Sequence, residues 1–453
     1  GIHHLENGWV YREWAPSAYQ LYLEGDFNNW NQTSHPLTNL GGGNWEIYLD
    51  ENQLWEGCKV KTVVDANMTR TEHIPLYARR VVQDPKTITF TAEVTDDKKT
   101  FPWTDSQFQG EKRMYIYEAH VGMAQEEGKV GSYREFAENV LPHVKQAGYN
   151  TVQLMAIMEH PYYGSFGYQV SNFFAASSWF GRPEDLKYLV NKAHEMGIRV
   201  LLDGVFNHTG SNSRYFNAEG FYPELGAAQS QDSLYFDWYS FHPWPTDYDA
   251  WWGVRTLPAV NEEAPTYRDF IVRSQDSVVR HWLRQGADGW RLDVADELPD
   301  DFIAEIRQAM EAEKPDSFLL GEVWEDGSNK IAYSHRRRYL LGRETHGLMN
   351  YPFRTAALAW LRGGDASDFR RDMEEIRENY PPAAFHSGLN ILGTHDTPRL
   401  LTMLGAARTP ESKDDRATYH LSPEELDMGL ARLRLGALLL YLSLIHISEP
   451  TRP

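Results

Sequence analysis

A chain of 453 residues, 42% hydrophobic and 24% charged, has the composition of a globular protein of two or three domains and holds no low-complexity tract. Its net charge of −20 argues against nucleic acid as a partner, and no apolar run is long enough for a membrane span, so no membrane partner is expected. With one cysteine, Cys58, there is no internal disulfide and no oxidising compartment is implied; no signal peptide is visible and a cytoplasmic location is expected, although a chain that begins at Gly1 without Met leaves a lost leader open.

Residues 1–108 read as all-β. Short strand-like runs occur at 9–14, 19–23, 45–49, 60–64 and 87–94. Turns such as Gly25-Asp26-Phe27-Asn28-Asn29-Trp30 and Gly41-Gly42-Gly43-Asn44 separate them, the spacing of a β-sandwich. Cys58 is expected to be a buried small apolar residue. His3 and His4, adjacent near a terminus, are expected to be solvated rather than a metal site. Phe101–Asp105 reads as a linker.

From Met114 the pattern changes to strand–helix alternation. Strands are expected at 114–118, 151–155, 198–205, 289–294, 318–324, 347–351 and 389–394. Helices are expected at 132–147, 184–196, 267–285, 301–313, 365–378 and 430–442. Such alternation gives a parallel sheet, and seven strands favour a (β/α)8 barrel over an open sheet. No GxGxxG turn follows the first strand, which weakens a dinucleotide-binding reading. His143 and His194 are expected on helix surfaces.

Polar residues gather at the carboxyl ends of these strands. Asp203, Asn207 and His208 follow the third; Arg291, Asp293 and Glu297 lie on or after the fourth; Glu322 ends the fifth; His395 and Asp396 end the seventh. In a barrel these ends form one mouth, where active sites are built. Arg291 and Asp293, two apart on a strand, share a face, and the pair alone fits a structural ion pair as well as a catalytic one. The long excursion 208–261, rich in Tyr, Phe and Trp, suits one wall of a cleft, or a packed insertion with its own small core.

Four runs then carry a resemblance: Asp203-Gly-Val-Phe-Asn207-His208, Gly289-Trp-Arg291-Leu-Asp293-Val-Ala-Asp-Glu297, Gly321-Glu322-Val-Trp324 and Gly393-Thr-His395-Asp396. In order and on the expected strands, they resemble the signature regions of the α-amylase family of glycoside hydrolases. The resemblance implies a TIM barrel and an α-glucan substrate, with Asp293 as nucleophile, Glu322 as general acid/base and Asp396 holding the distorted sugar. It further implies that Arg291 keeps Asp293 ionised, that His208 and His395 bond sugar hydroxyls, and that Tyr168 stacks on the sugar beside the cleaved bond. Glu297 is placed with these substrate-binding residues. No cofactor is expected; Asn207 resembles a position that ligates calcium in some members, but the other ligands cannot be traced.

Residues 1–195 are similar to 1,4-α-glucan branching enzymes, through Glu13-Trp14-Ala15-Pro16, the Gly25–Trp30 turn, Tyr117–Gly122 and Met158–Gly164. The sandwich resembles their carbohydrate-binding module, in which Trp30, Trp45 and Trp55 are either sugar platforms or core. From about Ile198 the chain is similar to neopullulanase and cyclomaltodextrinase-type hydrolases, through Trp251-Trp252-Gly253, Met349–Phe353 and Thr394–Arg399. The family would follow the last helix with an eighth strand and a C-terminal β-domain; here the chain stops after a tail at 443–453. A composite or truncated reading frame is therefore expected, with a barrel lacking strand 8, exposed sheet edges and poor solubility. Three functions stay open: an α-1,4-glucan hydrolase, a branching transferase, and a catalytically inert glycan-binding protein.

Overall fold

The computed structural model describes residues 1–446 apart from 67, 97, 98, 100 and 409–411. Two compact units emerge, one formed by Gly1–Arg291 with Ala309–Ser317, the other by Leu292–Gln308 and the chain from Phe318 onward.

The first unit begins with two antiparallel sheets. One joins β1 (Ile2–Leu5), β2 (Gly8–Trp14), β5 (Asn44–Leu49) and β4 (Thr38–Gly41). The other joins β3 (Gln20–Gly25), β6 (Lys59–Ala66), β9 (Phe90–Glu93) and β8 (Val81–Gln83), with β7 (Thr69–His73) also on β6. The sheets share a core that includes Tyr11, Leu21, Leu23, Trp45, Val60 and Phe90. Gly42 and Gly43 take φ values of 63° and 83° between β4 and β5, the left-handed backbone that glycine adopts at no steric cost. The strand expected over 87–94 begins only at Phe90, because Asp84 accepts hydrogen bonds from the amides of Lys86 and Thr87 and closes a turn there.

Trp45 is core, 2% exposed, with its indole N–H on the Ala15 carbonyl, whereas Trp30 and Trp55 are exposed. Cys58 is buried as expected. His4 departs from its expectation: its ring stacks on Trp9 and lies 2.7 Å from Asp96 and 2.9 Å from Glu51. Two carboxylates and an apolar face outcompete water at that ring.

The same unit holds four parallel strands, β10 (Ile116–Ala119), β11 (Thr151–Leu154), β14 (Arg199–Gly204) and β15 (Gly289–Leu292), with the small hairpin β12 (Met158–Glu159) and β13 (Asn172–Ala176) after β11. The helix expected over 132–147 starts at a Ser132–Glu135 capping box and contains a π turn over Phe136–Val140. The helix expected over 267–285 breaks at Ser274–Ser277, where Ser and Asp are poor helix-interior residues. His194, expected on a surface, is buried; its ring nitrogens lie 2.5 Å from Asp105 and 2.8 Å from Asp288. That contact pins the linker after the sandwich to the base of β15.

The excursion 208–261 packs around its own aromatic cluster, Tyr215 against Tyr235 and Trp238, Phe216 against Tyr239 and Tyr248. It also docks the sandwich. Tyr222 stacks on Phe90 at 4.6 Å, and the buried pair Arg214–Glu224, 2.8 Å apart, bonds the backbone of Ile74 from both sides.

In the second unit β16 (Phe318–Gly321), β19 (Gly347–Asn350) and β20 (Leu389–Asn390) run parallel, with a short hairpin of β17 (Ile331–Ala332) and β18 (His335–Arg336) between β16 and β19. Helices Tyr351–Leu361, Ala366–Asn379 and Leu400–Gly405 accompany them. The last helix spans Pro423–His446, beyond the 442 expected; residues 447–453 of the expected tail lie outside the described residues. Strand 389–394 shortens to two residues because Thr397 bonds both the amide and the carbonyl of Thr394 and turns the chain. The seven parallel strands and their helices, behind a β-sandwich, are the alternation of a (β/α)8 barrel. Among the described residues no helix is long and apolar enough to cross a membrane.

Candidate active site

In the first unit, β14 is buried along its whole length, and Asp203 sits in it with a fully buried side chain. An acid inside such a run needs a cation. Arg291 on β15 supplies it, with Nη1 2.7 Å from Oδ1 of Asp203 and its own side chain equally buried. The other carboxylate oxygen of Asp203 accepts a hydrogen bond from the Tyr168 hydroxyl at 2.7 Å. Arg291 thus ion-pairs with Asp203, a residue given no role from the sequence. The signal was present: a lone acid in the apolar run Val200–Phe206.

His208 is 2% exposed; its Nε2 donates to the Tyr168 carbonyl at 3.1 Å and its Nδ1 faces the side-chain amide of Asn207 at 3.2 Å. Burial lowers its pKa to about 4, so the ring is neutral near pH 7. Both ring nitrogens already have protein partners, so a bond to a sugar hydroxyl would have to displace one. Tyr168 itself is half-buried, its hydroxyl and carbonyl both engaged. Asn207 is buried beside His208, and among the described residues no group of three or more His, Cys, Asp or Glu is placed to hold a metal ion.

In the second unit, two carboxylates are interlocked through backbone. Asp293 follows directly on β15 and is 6% exposed. Glu322 follows directly on β16 and is 4% exposed. The Glu322 amide donates to the Leu292 carbonyl at 3.1 Å, and the Ala295 amide donates to the Glu322 carbonyl at 3.1 Å. The Val294 amide donates to Oε2 of Glu322 at 2.8 Å. The peptide groups on both sides of Asp293 are therefore tied to Glu322, which makes the two acids neighbours at adjacent strand ends. Gly321, before Glu322, is closely packed: a Cβ there would come within 2.9 Å of the Leu348 and Thr345 side chains.

Val294, a β-branched residue, has φ 48°. The left-handed region costs such a residue on the order of 1–2 kcal/mol. The turn it makes follows the end of β15 and Asp293. Trp324 completes the surround, its indole N–H 3.2 Å from Oε1 of Glu322 and its ring stacked on Tyr351 at 4.0 Å. In the sequence Trp324 is only the last residue of the Gly321–Trp324 run; its contact with Glu322 comes from the fold.

Glu297 accepts a hydrogen bond from the Tyr333 hydroxyl on the β17–β18 turn, and neighbouring Asp296 pairs with Lys330 at 2.6 Å. Burial raises the Asp296 pKa, against the pull of Lys330. His395 and Asp396 lie on the loop after β20, with Nε2 of His395 3.2 Å from Oδ2 of Asp396. Asp396 is the more open acid, its side chain 42% exposed. The structure thus holds Asp293, Glu322, Glu297, His395 and Asp396 in one unit, and Tyr168, His208 and Arg291 in the other.

Comparison with known proteins matches two stretches of the chain to families. The family described as alpha amylase, catalytic domain, matches residues 127–422, and carbohydrate-binding module 48 (isoamylase N-terminal domain) matches residues 1–85. The chain is 38% identical over 301 residues to the 1,4-alpha-glucan-branching enzyme of Felis catus, covering 65% of this chain and 40% of that enzyme. It is 40% identical over 294 residues to that of Aspergillus oryzae, covering 63% and 40% respectively. The chain therefore spans well under two thirds of the length of these relatives. Among solved structures it is similar to the cyclic alpha-maltosyl-(1→6)-maltose hydrolase of Arthrobacter globiformis, with 25% identity and a TM-score of 0.55, over 64% of this chain and 68% of that one. A cyclomaltodextrinase, at 22% identity and a TM-score of 0.54, shares the fold over 89% of this chain and 71% of its own.

Proposed function

Since the chain belongs to the α-amylase family and carries a module-48 sandwich ahead of its catalytic domain, we propose that it acts on α-1,4-glucosidic bonds of starch, glycogen or maltodextrin by retaining double displacement. The observation that carries this reading is the interlock of Glu322 with the backbone on both sides of Asp293. Retaining glycosidases need two carboxyl groups about 5 Å apart, one a nucleophile and the other an acid and then a base.

In the proposed mechanism Glu322 gives its proton to the glycosidic oxygen while the Asp293 carboxylate attacks the anomeric carbon. The glycosidic C–O bond breaks and a glycosyl ester forms on Asp293. Glu322, now a carboxylate, takes a proton from water as the water oxygen attacks the same carbon and frees Asp293. Asp396 is the proposed holder of the sugar in its distorted form, with His395 beside it. Arg291, Tyr168, His208 and Glu297 keep the binding roles that the motifs imply. No cofactor takes part in these steps. The module is proposed to span 1–108, the catalytic domain 109–442 with 208–261 inserted, and the location to be cytoplasmic on the strength of the single cysteine.

A second reading rests on the branching-enzyme relatives. There the acceptor of the glycosyl ester is a sugar hydroxyl instead of water. Incubation with amylose separates the two: new reducing ends mean hydrolysis, and loss of iodine colour without them means transfer. If neither occurs, and Asp293→Asn changes nothing, the chain is a glycan binder.

A further inference from the structure

The excursion ends in an arm whose tip has no packing explanation. Trp252 is 82% exposed and has φ 50°, followed by Gly253 at 75°. A bulky residue in the left-handed region is a backbone outlier, and such strain persists only where the surroundings impose it. Here they do. The Trp251 amide bonds the Leu257 carbonyl at 2.9 Å, the Leu257 amide bonds the Val254 carbonyl at 2.8 Å, and Ala250 bridges to Pro258. The arm is anchored in turn at the strand end, where His208 bridges to Ala259.

Strain and exposure together hold an indole face outward. Two rings lead away from His208: Trp251 lies 5.8 Å from His208, and Trp252 lies 6.1 Å from Trp251. The nearby Tyr248 is different, since the Arg255 guanidinium covers its face at 3.5 Å. An indole face is large, rigid and apolar, and costs little side-chain entropy to immobilise. The C–H-lined face of a pyranose matches it.

We infer that Trp252 is a stacking platform for a glucosyl unit of an α-glucan chain lying outward from His208, so that it favours longer chains over short ones. This rests on the reading of the protein as α-glucan-active and extends it to chain-length selection.

The test is indole oxidation by N-bromosuccinimide, mapped by peptide mass spectrometry, on the full chain and on its Asp293→Asn variant, with maltoheptaose, maltotriose or glucose added. Maltoheptaose is expected to slow oxidation of Trp252, and glucose to leave it unchanged. Trp252→Ala should weaken maltoheptaose binding about tenfold, and Trp252→Phe should restore most of it. Unchanged Trp252 oxidation in saturating maltoheptaose overturns the inference, as does protection that depends on protein concentration without sugar. Protection without turnover of amylose would sink the catalytic reading and leave the platform standing; turnover without protection would do the reverse.

Discussion

Asp203 and Asp293 stand in similar places and have different fates. Each sits at the end of a buried parallel strand, each is buried, and each was legible as a strand-end acid. Asp203 is locked between a guanidinium and a phenol. Asp293 follows its strand into a turn strained at Val294, beside a Glu322 held by a peptide N–H and an indole N–H. The comparison teaches that burial alone does not mark a reactive acid; Asp293 differs in the strained turn that follows it and in the second carboxyl group tied to its backbone.

The contrast breaks most visibly in activity. Asp293→Asn or Glu322→Gln should lower turnover of amylose by on the order of 10⁴-fold, with urea midpoints near that of the parent. An active Asp293→Asn would assign the nucleophile elsewhere. Next in size, Arg291→Ala leaves Asp203 buried without its cation and should cost about 3–5 kcal/mol of stability, read as a lower urea midpoint. A midpoint that does not move would show that Asp203 is not held by that charge.

Trp324→Phe keeps the ring on Tyr351 but removes the donor to Glu322. A loss of about tenfold in kcat, with stability changed by less than about 1 kcal/mol, is expected from one hydrogen bond lost at the acid/base group; unchanged kcat would make the indole contact incidental. The smallest effect concerns His208. Its pKa of about 4 lies below the unfolded value near 6.5. The unfolded chain takes up that proton first, so His208 costs stability as pH falls from about 6.5 to about 4 and nothing above that window. Its ring signals in NMR should stay flat from pH 7 to 5; a midpoint near 6.5 would contradict the buried, doubly bonded ring.

Much of this was legible in the sequence because it is local. Strand–helix alternation, the glycine turn at 41–44 and acids placed just after strands follow from short-range pattern. What was not legible depends on distant partners. The Arg291–Asp203 pair joins residues 88 positions apart, and buried His194 meets Asp105 and Asp288, 89 and 94 positions away. Neither histidine nor arginine announces which carboxylate it will find. The break at Ser274 and the early end of β20 arise from turn hydrogen bonds that hydrophobic pattern does not register.

The central claim, that Asp293 attacks the sugar while Glu322 moves the proton, is tested most directly by trapping. Incubation with a 5-fluoro-α-glucosyl fluoride, followed by peptide mass spectrometry, should place one glycosyl group on the peptide bearing Asp293, and Asp293→Asn should abolish it. A glycosyl group on any other carboxylate, or amylose turnover with no trapped ester at all, would contradict the account.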